Sequence, residues 1–160
     1  MVRFKLRMNP RTTIATISAI YAMACSHNMD EKPFGRLDLS RDCKIYFLRT
    51  EGEPSDFNKR TGDFFLNDPV QISELKEGWR LASEHAPTAC GFEYLVYMVQ
   101  DGSPVGEMSI NGPCGYIVTN NGWFDFDKRL YDEIDEARIQ HIDERTADSL
   151  HIALSALFGP

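Results

Sequence analysis

The chain has 160 residues, with 17 basic and 24 acidic side chains and a formal charge of −7. That length makes one domain with a real core, so four cysteines are not needed as a disulfide-dense scaffold. The acidic balance, with no basic stripe, excludes a nucleic-acid partner, because phosphate binding is driven by clustered Lys and Arg.

The first eleven residues, MVRFKLRMNPR, carry Arg3, Lys5, Arg7 and Arg11 and no acid, and Thr12 to Ala24 are uncharged. A basic lead, a weakly apolar run and small residues form the order of an export signal. The run is too short and too rich in Thr, Ser and Ala to cross a membrane as a helix. Ala22-Met23-Ala24 suits ordinary signal peptidase, while Cys25 directly after it resembles the bacterial lipobox, in which that cysteine becomes the acylated first residue. The reading is therefore residues 1–24 as a removed export segment, with Cys25 as a lipidation site. An amphipathic helix over 12–24 is the alternative. Removal leaves 13 basic against 24 acidic side chains, a formal charge of −11. Residues 25–42, polar with Pro33 and Gly35, read as a flexible tether, and 43–160 as one globular domain.

Residues 43–50, CKIYFLRT, alternate as a strand, and 51–63 read as a loop from their Gly, Pro, Asn and Asp. Asp68 and Pro69 then open a helix, Asp68 as N-cap, with Gln71 placed for a capping box. Ile72, Leu75, Trp79 and Ala82 continue its apolar face until Pro87.

Residues 90–114 form two β-rich runs around Asp-Gly-Ser. A three-residue loop at 101–103 makes paired positions sum to 204, so Val96 faces Met108, Tyr94 faces Ile110 and Cys90 faces Cys114. Alternation then gathers Cys90, Phe92, Tyr94, Val96, Met98, Met108, Ile110 and Cys114 on an apolar side. The other side, with Glu93, Leu95, Tyr97, Val99, Val105, Glu107, Ser109 and Asn111, is mixed and expected to be wet. A second hairpin, YIVTNNGWFDF, turns on Asn-Gly. Two helices close the chain, one capped by Asp127 with Leu130, Ile134 and Ala137 inward, the other from Thr146 with Leu150, Ala153, Leu154 and Leu157 inward. His141 falls at the core edge of the former.

In an oxidising compartment, opposite hairpin positions favour a Cys90–Cys114 disulfide and leave Cys43 buried and free at the head of the first strand. Cysteine and histidine spacing offers no metal site, and no cofactor motif is present. His27, His85, His141 and His151 each stand alone in sequence. Glu93 and Glu107 point to one sheet face in this register, although well apart along it, which keeps a carboxylate hydrolase as an alternative. Tyr97, Tyr116, Trp123 and Phe124 lie on or beside the hairpins, and such aromatics on a rigid sheet can anchor a partner.

The expected fold is α+β, an antiparallel sheet of about five short strands built from hairpins with helices on one face. The expected function is that of an exported, lipid-anchored envelope protein acting as a non-catalytic binding module, of inhibitor or immunity type among other versions. Its partner is an unknown protein or envelope ligand, its membrane contact the N-terminal lipid, and its binding residues Tyr97, Glu93, Glu107, Tyr116 and Trp123.

Overall fold

The computed structural model describes residues 31–81 and 83–158. The export segment and Cys25 lie outside the described residues, as does Ala82. The class is α+β: β1 (Cys43–Arg49), β2 (Phe64–Leu66), β3 (Tyr94–Gln100), β4 (Ser103–Asn111), β5 (Tyr116–Thr119), β6 (Gly122–Asp125) and β7 (Gln140–His141) form one sheet. Its order is β6-β5-β4-β3-β1-β2-β7, antiparallel throughout. The helices are α1 (Asp56–Thr61), α2 (Pro69–Gly78) and α3 (Glu144–Phe158), with 3₁₀ turns at Lys128–Glu133 and Glu136–Arg138. The sheet thus has seven strands where five were expected. The additions, β2 and β7, are three and two residues long, too short to show alternation.

The central hairpin holds the expected 204 register by a different device. Asp101 and Gly102 take φ values of 47° and 76° in a two-residue primed turn, which pairs Gln100 with Ser103 and Val99 with Pro104. Val105 is then skipped as a bulge, and from Met98–Gly106 onward the pairs are Val96–Met108 and Tyr94–Ile110. Pro104 is tolerated because β5 pairs only with Ser109–Asn111, leaving that end of β4 unpaired on its outer side. In the second hairpin the loop residues are Asn120 and Asn121, and Gly122 takes the positive φ of 138°.

The apolar side builds the larger core. Ile45, Phe47, Tyr94, Val96, Met98, Met108 and Ile110 are buried there with Ile72 and Leu75 of α2, Trp79, Tyr131 and Ile134. Phe47 stacks on Phe64 at 4.6 Å, and Trp79 packs against Phe34 at 5.1 Å. Phe34 and Leu37, in the stretch read as tether, are fully buried members of this core, so residues 31–42 pack as part of the domain.

Asp68 caps α2 as expected, accepting from the Gln71 N–H at 2.9 Å, but Gln71 turns its own amide to the Asp135 carbonyl. The helix stops at Gly78, well before Pro87. Trp79 is extended, and Leu81 exchanges two backbone hydrogen bonds with Glu31. The spacing of Trp79 is helical, but its burial is that of a core anchor beyond the helix.

Helices lie on both faces of the sheet. Leu48, Tyr97 and Val99, on the side expected to be wet, are buried against Ala147 and Leu154 of α3, with Leu150 and Phe158 partly buried beside them. The Tyr97 and Ser155 hydroxyls are 2.9 Å apart. The inward positions of α3 are therefore 147, 150, 154 and 158, and Ala153 and Leu157 face out.

Asp143 caps the start of α3, accepting from the Thr146 N–H at 3.1 Å and the Thr146 hydroxyl at 2.6 Å. Asp143→Ala is expected to cost about 1 kcal/mol in urea unfolding, and Asp143→Asn much less.

The preceding segment is two 3₁₀ turns in place of one helix. Asp127 does cap the first, Tyr131, Ile134 and Ile139 point inward, and Ala137 is exposed. His141 is an exposed edge-strand residue, its Nδ1 3.0 Å from the Thr61 carbonyl, and not part of the core. Both sheet edges are blunted. Residues 83–85 pair with β6 through His85 and Asp125, and β7 is short.

Candidate functional site

The end of the hairpin sum places Cys90 and Cys114 at disulfide-bonding distance, their Cα atoms 6.7 Å apart. Asn111 supports the link by accepting from the Cys114 N–H at 2.7 Å and donating to the Gly91 carbonyl. Tyr116 donates to the Gly91 carbonyl at 3.0 Å and to that of Cys90. Cys43 is free and buried, its sulfur 3.3 Å from the Asp38 carbonyl, and burial pushes its thiol pKa up.

Glu93 does not share a face with Glu107. It lies just before β3, fully buried, and its carboxylate turns toward the larger core. The Ser55 and Gly112 N–H groups each donate to it at 2.8 Å, and the Tyr131 hydroxyl donates to the same oxygen as Gly112. Burial, reinforced by the Glu93 charge, pushes the Tyr131 phenol far up, so it stays protonated as a donor. Glu93 thus ties the approach to α1, the β4–β5 connection and the first 3₁₀ turn to the start of β3. Glu107, opposite Tyr97, is half-buried on the other face. Alternation failed for Glu93 because it holds only inside the ladder.

The remaining residues expected to bind lie on the α3 side of the sheet. Tyr97 is only 2% exposed under α3. Tyr116 is buried beneath His85, Trp123 and Phe92, with ring centroids 5.5, 5.1 and 5.8 Å away. His85 Nδ1 is 2.7 Å from the Asp125 carboxylate. Trp123 is half-buried at the open edge of this cluster. Of the five residues proposed from sequence, Trp123 and Glu107 keep accessible surface, while Tyr97, Tyr116 and Glu93 do not.

Where α3 ends its cover, the sheet face stays partly open. The registers put Leu95, Ser109, Val118 and Trp123 in one transverse row across β3 to β6, and all four are half-buried. Leu95 and Ser109 were already on the mixed side in the sequence register; Val118 joins them only through the β4–β5 pairing.

At Leu95 the row meets a groove of about 960 Å³ between α3 and residues 49–54. Its walls include Glu51, Glu144, Asp148, His151 and Ile152, and Arg49, whose Nε bonds the Asp63 carboxylate at 2.9 Å. Gly52 is required in this wall, since a Cβ there would lie 1.8 Å from the Phe92 carbonyl oxygen.

Among the described residues no group of three or more His, Cys, Asp or Glu is arranged to hold a metal ion, and no helix is long and apolar enough to cross a membrane. Comparison with family models, with curated proteins and with solved structures finds no match to this chain.

Proposed function

We propose that this chain is the non-catalytic binding module of an exported envelope protein, anchored by lipid on Cys25, and that it holds a protein or envelope ligand on the row Leu95–Ser109–Val118–Trp123. The observation that carries the reading is that row: three half-buried apolar and aromatic side chains with Ser109 among them, set on a sheet whose opposite face packs into the core. Rigid aromatic and aliphatic surface binds at low entropic cost, because little has to be ordered on association. An inhibitor or immunity role is one form such a module takes.

Capture from an envelope extract, with the retained species identified by mass, tests the reading. Wild type is expected to hold a partner that Val118→Asp and Trp123→Ala lose while both variants keep a cooperative unfolding transition, its midpoint lowered in Trp123→Ala because that ring packs on Tyr116 and Phe92. Turnover of a glycan or peptide substrate that Glu107→Gln abolishes would establish a hydrolase and overturn it.

The anchor is proposed from the sequence pattern of residues 1–25. Intact-mass analysis of membrane-fraction protein is expected to show a chain beginning at Cys25 with acyl chains, each buried methylene adding about 0.8 kcal/mol of membrane affinity. A soluble product beginning at Cys25 would assign ordinary signal peptidase, and one beginning at Met1 would remove the export reading altogether.

A further inference from the structure

We infer that the groove beside α3 receives an Arg- or Lys-bearing segment of a partner protein. The inference rests on the binding-module reading and adds the chemistry of the partner.

The groove combines two features that are rarely left together on a surface. Its lining includes apolar side chains, Leu95 half-buried and Ile152 72% exposed on the wall. Its rim carries Glu51, Glu144 and Asp148, and among the described residues none of these three has an ion-pair or hydrogen-bond partner. The one guanidinium in the lining, Arg49, is already engaged by Asp63. Glu144 has a local reason for its charge, because it sits in the first turn of α3 where the helix dipole favours an anion. Asp148 and Glu51 have none of that kind.

Arg and Lys suit this lining. Their methylene stems cover apolar surface while the charged head stays at the rim, and a guanidinium adds paired hydrogen bonds to a carboxylate. With residues 1–24 removed, the charge of −11 steers a basic partner toward it. A second copy docked groove to groove would bring the same uncompensated acids against themselves, and a neutral glycan would leave them unpaired.

The test is an amide-shift titration of the isotope-labelled full chain with a short amidated peptide of alternating Arg and Leu, beside its Glu-for-Arg counterpart. The basic peptide is expected to perturb Thr50–Gly52, Leu95 and Asp148–Ile152. Its affinity should fall by about tenfold when salt is raised from about 50 to about 300 mM, since screening shortens the reach of the rim charges. The double variant Glu144→Gln, Asp148→Asn should weaken it by a similar factor.

Equal binding of the acidic peptide, or perturbation centred on another surface, would overturn the inference. So would concentration-dependent shifts at these residues without peptide, which would assign the groove to a second copy. A captured partner lost by Val118→Asp but unaffected by the double variant would overturn the cationic-partner inference and leave the module reading standing. Charge-dependent peptide binding in the groove, with partner capture indifferent to Val118→Asp and Trp123→Ala, would uphold the groove and remove the row from the module reading.

Discussion

Glu93→Ala is expected to destabilise the fold by on the order of 3–5 kcal/mol, because it strands three donors around a fully buried carboxylate: the Ser55 and Gly112 N–H groups and the Tyr131 hydroxyl. Each buried donor left unpaired costs about 1–3 kcal/mol, and the stability of a whole domain is only about 5–15 kcal/mol. Glu93→Gln keeps the shape and one acceptor but points an NH₂ at a donor, so roughly half the loss is expected. Tyr131→Phe removes one donor and leaves the carboxylate with the other two, for about 1 kcal/mol. Urea midpoints at constant slope measure the series. Gly112→Ala serves as a steric control, since a Cβ there would lie 2.6 Å from the Glu93 carboxylate and 3.0 Å from the Tyr131 ring. A loss below about 1 kcal/mol for Glu93→Ala would mean that water replaces the carboxylate, and Glu93 would then not be the tie between these segments.

Cys114→Ser is expected to lower the stability of oxidised protein by about 3 kcal/mol, the chain-entropy value for a loop closed by cysteines 24 residues apart. For a domain of this size that is a fall in Tm on the order of 10 °C. Under reducing conditions wild type and variant should nearly coincide, because the link acts chiefly on the unfolded chain. The damage in the folded state should stay local, since Asn111 and Tyr116 still hold the 90–91 backbone when the sulfurs part. Hydrogen exchange should therefore rise in residues 86–92 and remain low in β3. Non-reducing peptide mapping gives the direct check: Cys90 joined to Cys114 is expected, and Cys43 joined to either would contradict its burial behind Asp38.

The two series probe different bonds on one short segment. Phe92 lies between Cys90 and Glu93, with its ring in the Tyr116–Trp123 cluster and its carbonyl against Gly52 and Thr50. The Cys90–Cys114 pair and the buried carboxylate thus lie at opposite ends of the strand lead-in that carries the open row and the groove wall. Stability lost there is expected to reach the open row, whereas the Asp143 cap acts on α3 and its wall of the groove.

What was legible in the sequence is what short-range chemistry decides. Asp68 and Asp127 could be read as caps because a carboxylate two or three residues ahead of an N–H meets it whatever the rest of the fold does. The 204 register was legible from Met98 to Tyr94 because alternation is local and the face carrying Tyr94, Val96, Met108 and Ile110 is apolar, whereas the approach of Cys90 to Cys114 lies beyond the ladder, where Asn111 and Tyr116 hold the backbone. The turn itself was misread, since a two-residue loop with a bulge and a three-residue loop produce the same pairs beyond Met98.

Tertiary structure decided the rest. Trp79 ended α2 because the core captured its ring, although its spacing allowed the helix to continue. Glu93 turned inward because three donors from distant segments converge there, and no spacing rule carries that information. The phase of α3 was ambiguous in a run of Leu and Ala that offers more than one apolar stripe. The packing of Ala147 and Leu154 on Leu48, Tyr97 and Val99, with the Tyr97 hydroxyl meeting that of Ser155 58 residues away, settled it. That choice left Trp123 and Glu107 accessible, buried Tyr97, and opened the groove beside Leu95, because which part of a face remains uncovered depends on where another element lands.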